Sequence, residues 1–459
     1  MGRIETVTDS DVTVAPSKIK CQLTALPRSL WIVGALACLV RLAAAVATGG
    51  LWDPQLNEYD VMAKSMLAGH GFAVVHLDIV YHSYAAPLYT WISVAAYWLT
   101  GSIVPVMLLQ IVAGSALAVI AAAIACRLFG GWIAGAAAGV LVAFHPGLVV
   151  YNATNAHPLT FDAFFFALTL LLVFRLAERS TVRRALELGV TVGVGALSRG
   201  TIVIFLPIAA LWLLVVATRQ SRAVIIRNLV VVALCSAAII APWTVRCSLL
   251  HHRFVFLLTT DSEDFWEGNN PYATGHGYVD AGHPILTTLS PEKRRDLARQ
   301  PNEVAQADWF ATQSRAFIRA DPMAFLRLNL LKLFHFWWFA PQNGVLYPRA
   351  WLLLYMIYYV VALLLAALGV WRITQRGPPA TQFGWLIGLF LLALSGLQSL
   401  YYVEGRHRWA VESLLLALSG GGIAVLVECR RQLLEARLSS KTRLTTPVAS
   451  CRDDSQNTA

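Results

Sequence analysis

Long apolar runs separated by short polar connections dominate the chain. Runs of about 17–25 residues, long enough for a helix to cross a bilayer, lie at 30–49, 103–125, 131–148, 159–176, 201–217, 226–244, 349–371, 381–400 and 409–427. Shorter or less clearly spanning runs lie at 185–198, 86–100 and 324–341. The pattern predicts an all-α polytopic membrane protein with about 10–12 transmembrane helices.

The composition supports a membrane location. Hydrophobic residues make up 57% of the 459 positions and charged residues only 14%, whereas an ordinary soluble domain has about 25% charged residues. The net charge of +10 comes largely from Lys and Arg near the ends of the apolar runs, as the positive-inside bias requires. We therefore expect no nucleic-acid partner.

The basic residues also suggest a topology. Lys18, Lys20 and Arg28 precede the first run and predict a cytoplasmic N-terminal segment at 1–28. The loop at 51–85 then lies outside. The basic connection at 175–184 stays cytoplasmic only if 86–100 does not cross fully. We therefore expect about ten full spans plus interfacial or re-entrant helices at 86–100 and 324–341.

The same topology divides the chain into three parts. Residues 29–430 form one transmembrane domain, whose large outer loop at 246–325 is expected to cover the outer ends of the helices. Residues 431–459 are polar and are expected to form a cytoplasmic, disordered tail.

Polar side chains cluster in the first outer loop. It contains Asp53, Glu58, Asp60 and Asp78 together with several histidines and tyrosines. A polar cluster next to a bilayer is costly and usually functional. The loop at 51–85 is therefore predicted to carry the active site of a membrane enzyme.

Six motifs along the chain resemble those of a known group of enzymes. They are EYDVMA at 58–63, LAGHGF at 67–72, APLY at 86–89, PWTVR at 242–246, FWEGNNPYATG at 265–275 and EGRHRWAVE at 404–412. In this order they resemble the GT-C membrane glycosyltransferases, and within them the family-39-like branch related to protein mannosyltransferases and aminoarabinose transferases. The resemblance extends from about residue 30 to 430.

This resemblance implies both a fold and an activity. The fold would be a GT-C-like bundle with an outer-face loop cap. The activity would be transfer of a hexose or pentose, with inversion, from a polyprenyl-phosphate sugar to a glycan, lipid or protein acceptor. The protein would act on the periplasmic or extracellular side of a bacterial inner (plasma) membrane.

The chain departs from the family pattern at two positions. The family carboxylate expected four residues before Tyr59 is replaced by Gln55, so that either Asp53 serves as the base, or Glu58 does, or activity is lost. The lysine that often precedes the Pro-Pro-Leu-Tyr element is replaced by Ala85. Arginines near the outer helix ends are then expected to bind the phosphate.

The candidate ligands of the substrate or its phosphate are Tyr59, His82, Asp162, Arg199, Arg246, Asn269, Arg406 and Arg408. Interfacial snorkelling is the alternative interpretation for Arg199 and Arg246. No cofactor is certain, and a divalent cation held by His82, His145 or His157 with a loop carboxylate stays open. Two other functions also stay open. One is a transporter or flippase of a lipid-linked substrate, and the other is an inactive relative.

Overall fold

The computed structural model describes residues 28–216, 220–280, 283–340 and 349–445. In these ranges lie seventeen α-helices. They are α1 (Arg28–Ala47), α2 (Glu58–Leu67), α3 (Leu88–Thr100), α4 (Val104–Phe129), α5 (Trp132–Ala143), α6 (Pro146–Thr154), α7 (Leu159–Glu178), α8 (Val182–Ala196), α9 (Phe205–Val216), α10 (Arg222–His251), α11 (Asp261–Gly268), α12 (Pro291–Ala298), α13 (Glu303–Ala320), α14 (Pro322–Trp337), α15 (Arg349–Thr374), α16 (Ala380–Ser399) and α17 (Gly405–Thr445).

Strand structure in the same ranges is slight. Strands β1 (Val74–His76) and β2 (Ile79–Tyr81) form one antiparallel hairpin in which Val75 faces Val80. Strands β3 (Tyr278–Asp280) and β4 (His283–Pro284) form a second antiparallel pair. Both pairs lie in loops between the helices.

The predicted all-α membrane architecture is confirmed. Among the described residues, seven helices are long and apolar enough to cross a membrane: α1, α4, α7, α10, α15, α16 and α17. The pair α5 and α6, bent by 44°, can form an eighth span. Helix α8 and the apolar stretch Gly200–Val216 are shorter, so the expected ten spans are reached only when these two also cross.

The bend between α5 and α6 interrupts a run that the sequence predicts as one span, 131–148. His145 has an extended backbone conformation and Pro146 begins α6. Proline disfavours the helical conformation of the preceding residue and has no N–H for the helix ladder. The break therefore has a local cause in the sequence.

Two other apolar runs form helices too short to cross. Helix α3 has 13 residues and α14 has 16, which at 1.5 Å per residue gives about 20 Å and 24 Å. A hydrocarbon core is about 30 Å thick. Both helices border the end of the bundle that carries the polar loops.

The large loop at 246–325 folds into a cap with its own small core. Helices α11, α12 and α13 lie in it, and Trp266, Ile285, Leu289, Leu297 and Phe310 are buried together. The β1–β2 hairpin joins this cap because the Tyr81 hydroxyl donates to Gln306 Oε1 at 2.6 Å. The first outer loop and the large outer loop thus form one layer over the helix bundle.

The last helix extends further than the sequence predicts. Helix α17 continues to Thr445, so that the first part of the expected disordered segment at 431–459 is helical. Residues 446–459 and the N-terminal segment 1–27 lie outside the described residues.

Helices α15 and α17 approach each other closely at glycines. A Cβ on Gly422 would lie 2.0 Å from the Leu365 carbonyl oxygen, and one on Gly369 would lie 2.0 Å from that of Leu418. Small residues at such crossings allow the backbones of membrane helices to touch.

We predict that Gly422→Ala destabilises the protein by about 1–3 kcal/mol, because the added methyl group overpacks the crossing. The matched control is Gly388→Ala in α16, where a Cβ meets nothing within 4 Å. It should be neutral or stabilising, since alanine has the higher helix propensity. Thermal unfolding in detergent measures both. Equal effects of the two substitutions would contradict the close approach.

Candidate active site

A cavity of about 530 Å³ opens at one end of the helix bundle. Its walls come from the start of α7, the end of α8, the end of α16 and the start of α17, with α2 and α11 completing it. These helix ends are far apart in sequence. The cavity is polar, because most of its lining side chains are charged, amide, imidazole or hydroxyl groups.

Helix α2 contributes Glu58 and Tyr59. Glu58 is half-buried at the first position of the helix and its carboxylate forms no hydrogen bond or ion pair with the described residues. Tyr59 contacts the rings of Tyr89 and His157, at centroid distances of 5.3 Å and 5.9 Å. Burial, with the charge of Glu58 next in importance, raises the pKa of Tyr59, so its hydroxyl stays protonated.

Arg199 follows the end of α8 and lines the cavity there. Its Nη1 is 3.4 Å from Asp162 Oδ2, and its Nη2 donates to Gln398 Oε1 at 3.4 Å. Asp162 is buried and also accepts from Ser198 Oγ at 2.7 Å. The carboxylate thus has two partners, and the half-buried guanidinium is held at the cavity wall.

Arg406 occupies the first turn of α17. Its Nε is 2.6 Å from Glu404 Oε2, and its Nη1 donates to the Tyr151 hydroxyl at 3.3 Å. Arg406 also borders a second cavity of about 500 Å³. The second cavity is lined in part by Phe339, Trp351 and Trp409, so one guanidinium stands between a polar and a more apolar space.

Helix α11 adds a row of acids that we did not predict. Asp261, Asp264 and Glu267 follow each other at three-residue spacing and all line the first cavity. Burial raises the pKa of Asp261 to about 6 and, with the charges of Glu263 and Asp261, that of Asp264 to about 8. Burial and the charge of Asp264 also raise the pKa of Glu267.

The spacing of these acids in the sequence indicates that they lie on one face of a helix, since side chains three residues apart share a helix face. The motif at 265–275 was interpreted only through Asn269. The fourth acid of this helix, Glu263, is engaged elsewhere, because both its oxygens lie 2.9 Å from His76 Nε2 of the β1–β2 hairpin.

Three further residues line the cavity: His157, which the sequence suggested only as a metal ligand, His407, which lies in the motif at 404–412, and Gln398. His157 is enclosed, and burial together with the charges of Arg406 and Arg199 lowers its pKa well below the usual value. Its imidazole is therefore neutral. Nothing in the local sequence distinguishes Gln398 from an ordinary polar residue at a helix end.

Of the two candidate bases, only Glu58 lines the cavity. Asp53 is exposed. Its loop is bound to the end of α6, where the Gln55 N–H donates to the Thr154 carbonyl at 2.8 Å and the Ala156 N–H donates to the Gln55 carbonyl at 3.0 Å. This pairing directs Asp53 away from the site.

His82 and Arg246 also lie outside the cavity. Arg246 Nη1 donates to the His82 carbonyl at 2.5 Å and to Ser83 Oγ at 3.2 Å, and its guanidinium lies over the Trp243 ring at 4.8 Å. The His82 N–H donates to Glu303 Oε1 at 2.8 Å. These contacts fasten the first loop to α10 and α13.

Asn269 and Arg408 are buried beside the cavity without lining it. Asn269 Oδ1 accepts from Lys332 Nζ at 2.9 Å. Arg408 Nη2 donates to the Tyr355 hydroxyl at 2.6 Å, and the guanidinium lies 3.9 Å from the Tyr359 ring centroid. Both side chains join helices to one another.

A metal centre finds no support among the described residues, where no group of three or more His, Cys, Asp or Glu side chains is arranged to hold an ion. The histidines considered for it have different neighbours. His145 Nε2 lies 3.0 Å from Glu412 Oε2, His157 lines the cavity, and His82 lies outside.

Residues 84–245 match the family model described as dolichyl-phosphate-mannose-protein mannosyltransferase. Among solved structures, the Archaeoglobus fulgidus oligosaccharyltransferase tethered with an acceptor peptide containing the NVT sequon is similar, with a TM-score of 0.52 and 14% identity over 87% of this chain. The chain spans 50% of the length of that protein. The likeness is one of fold.

ArnT from Cupriavidus metallidurans is similar in two structures. The structure bound to undecaprenyl phosphate has a TM-score of 0.42 and 15% identity. The match covers 87% of this chain and 78% of ArnT. The structure in the apo state has a TM-score of 0.39 and 16% identity. The match covers 85% of this chain and 77% of ArnT. No protein of curated function matches the sequence.

We predict that Asp264→Asn changes the pH dependence of stability. A pKa of about 8 in the folded protein, against 3.8 for the ordinary carboxyl, means that folding takes up a proton. The wild type should therefore lose stability as the pH rises from about 4 to about 8, and the neutral amide should abolish this contribution. Melting temperatures in detergent at pH 5 and pH 8.5 measure it.

The control is Asp53→Asn at an exposed position, which should not alter the slope. The gain in melting temperature of Asp264→Asn over the wild type should be larger at pH 8.5 than at pH 5. The same difference at both pH values would refute the raised pKa.

Proposed function

We propose that this chain is a membrane glycosyltransferase of the GT-C superfamily and that it transfers a sugar from a polyprenyl-phosphate donor to a hydroxyl or amide acceptor. One observation carries the proposal. A single cavity holds an unpaired carboxylate, Glu58, together with two arginines held in place by hydrogen bonds, Arg199 and Arg406. An attacking acceptor needs a base for its proton, and a departing phosphate needs positive charge. These side chains can supply both.

Glu58 is the proposed general base. The acceptor oxygen or nitrogen attacks the anomeric carbon while its proton passes to the Glu58 carboxylate. Asp264 and Glu267 of α11 suit this task less, because burial raises the pKa of both, that of Asp264 to about 8. Attack on the face opposite the leaving phosphate inverts the anomeric configuration.

Arg199 and Arg406 are the proposed phosphate ligands. As the bond between the anomeric carbon and the phosphate oxygen breaks, its electron pair stays on that oxygen, and fixed cations stabilise the growing charge. Ala85 and Ala86 line the same cavity. Their small side chains leave room where the related enzymes often carry a lysine, so these arginines take over its charge.

Arg406 also suggests how two substrates meet. It borders both the polar cavity and the second cavity lined by Phe339, Trp351 and Leu352. Donor and acceptor can therefore enter from different sides and reach one phosphate-binding side chain. The acceptor is a glycan, a lipid or a protein.

Charge at the other end of the bundle supports an outer-face site. The end of α4 carries Arg127, which pairs with Glu178 at 3.2 Å, and the end of α15 carries Arg372, which pairs with Glu428 at 3.1 Å. Because basic residues concentrate on the cytoplasmic side, the cavity faces the opposite side. In a bacterial inner membrane this is the periplasm.

The first test uses the full chain in lipid with a panel of radiolabelled polyprenyl-phosphate sugars and acceptor-containing membrane extract. We expect the wild type to release polyprenyl phosphate and Glu58→Gln to lower turnover by about 10²-fold or more, because the amide cannot accept the proton. Asp53→Asn is the matched control and should stay near wild-type activity.

Other outcomes would overturn parts of the proposal. Full turnover by Glu58→Gln would remove Glu58 as the base. Binding of these donors by the wild type without turnover would favour a flippase or an inactive relative.

Arg199→Gln should weaken the binding of undecaprenyl phosphate about tenfold, since one charge-assisted hydrogen-bonding partner of the phosphate is lost. Binding of the uncharged prenol should not change. Arg183→Gln, at a highly exposed side chain near the other end of α8, is the control for a general loss of positive charge. Equal losses for the phosphate and the prenol would argue against Arg199 as a phosphate ligand.

A further inference from the structure

His407 occupies a special position at the start of α17. The helix begins at Gly405, and His407 lies two residues further on, in the first turn. Its N–H donates to the Glu404 carbonyl at 3.0 Å, and its Nδ1 accepts the Glu404 N–H at 3.2 Å. The imidazole thus plays the role that Glu or Gln plays in a capping box.

This contact determines the tautomer of the ring. A backbone N–H can only donate, so Nδ1 of His407 must carry the lone pair. The neutral imidazole then has its proton on Nε2. Gln398 Nε2 lies 3.2 Å from the same Nδ1 and is oriented for donation, because the Gln398 Oε1 accepts from Arg199.

The protonated nitrogen lies at the cavity. His407 is only 9% exposed and lines the polar cavity with Arg199 and Arg406. Its Nε2 has no hydrogen-bond partner among the described residues. The nitrogen is accessible from the cavity, so an oxygen atom of a bound ligand can accept its hydrogen bond.

From this geometry we infer that His407 is a further catalytic residue, whose Nε2–H donates a hydrogen bond to a phosphate oxygen of the polyprenyl-phosphate leaving group. The inference rests on the proposed function. No proton is transferred: the electron pair of the breaking carbon–oxygen bond stays on the phosphate, and the hydrogen bond strengthens as its charge grows. Protonation of Nδ1 would break the contact with the Glu404 N–H, so His407 acts as a neutral donor.

A pair of matched variants tests the donor. In His407→Gln the side-chain amide nitrogen reaches the region of Nε2, whereas in His407→Asn it reaches only that of Nδ1. We expect His407→Asn to lower kcat for polyprenyl-phosphate release about 10²-fold, the usual effect of losing one such donor. His407→Gln should keep activity within about tenfold of the wild type.

Two kinetic results would overturn the inference. One is wild-type kcat for His407→Asn, and the other is an equal loss in both variants, which would indicate a packing role for the ring. Melting temperatures of the variants in detergent establish that both are folded.

Nuclear magnetic resonance of the ¹⁵N-histidine-labelled wild type provides an independent test that needs no variant to fold. The His407 signal should show a proton on Nε2 and none on Nδ1, and undecaprenyl phosphate, but not the uncharged prenol, should shift the Nε2–H resonance. A proton on Nδ1, or an unchanged resonance at saturating undecaprenyl phosphate, would refute the inference.

The two proposals fail in different ways. A wild type that releases no polyprenyl phosphate from any donor contradicts the proposed function. The resonance shift with undecaprenyl phosphate then still decides whether His407 binds the phosphate.

Discussion

The ion pair between Asp162 and Arg199 is the contact on which the organisation of the site depends. Asp162 is buried in the first turn of a membrane helix, where an unpaired carboxylate would be very costly. Ser198 and Arg199 supply its partners from the end of α8. The need to satisfy this one charge brings α7 and α8 together at the cavity and fixes the arginine. Removal of Arg199 would leave the buried carboxylate without a cationic partner.

From this pair a continuous series of polar contacts crosses the end of the bundle. Arg199 binds Gln398, Gln398 approaches His407, and His407 accepts from Glu404. Glu404 pairs with Arg406, whose guanidinium donates to Tyr151. Five helices thus have their ends connected through side chains. Both cations are held before any substrate arrives, and preorganised charge of this kind stabilises a transition state without reorganisation.

The acids of α11 show a different use of burial. Neither Asp264 nor Glu267 forms an ion pair with the described residues, and burial raises the pKa of both, that of Asp264 to about 8, so protonation removes their charge more readily than at an exposed carboxyl. They can then donate or accept hydrogen bonds without adding repulsion near a phosphate. Glu58, on α2, is the carboxylate that we propose as the proton acceptor. Similar residue types thus have different roles because their surroundings differ.

The sequence by itself determined the class of fold and the end of the bundle where chemistry occurs. Long apolar runs must become helices in a bilayer, because only there are all backbone groups hydrogen-bonded internally. Polar residues such as Glu58, Asp162, Arg199 and Arg406 then collect at the helix ends. The tertiary structure decided which of them meet. Asp53 lies in the same loop as Glu58, and Arg408 lies in the same motif as Arg406, yet both are outside the cavity.

The physical reason is that the direction of each side chain depends on how its helix is rotated against neighbours far away in sequence. Asp53 lies outside because Gln55 pairs with the end of α6, about a hundred residues later. The α11 acids face the cavity because the cap folds back over it. Such long-range contacts leave no periodic signal in the local sequence, whereas hydropathy and proline breaks do.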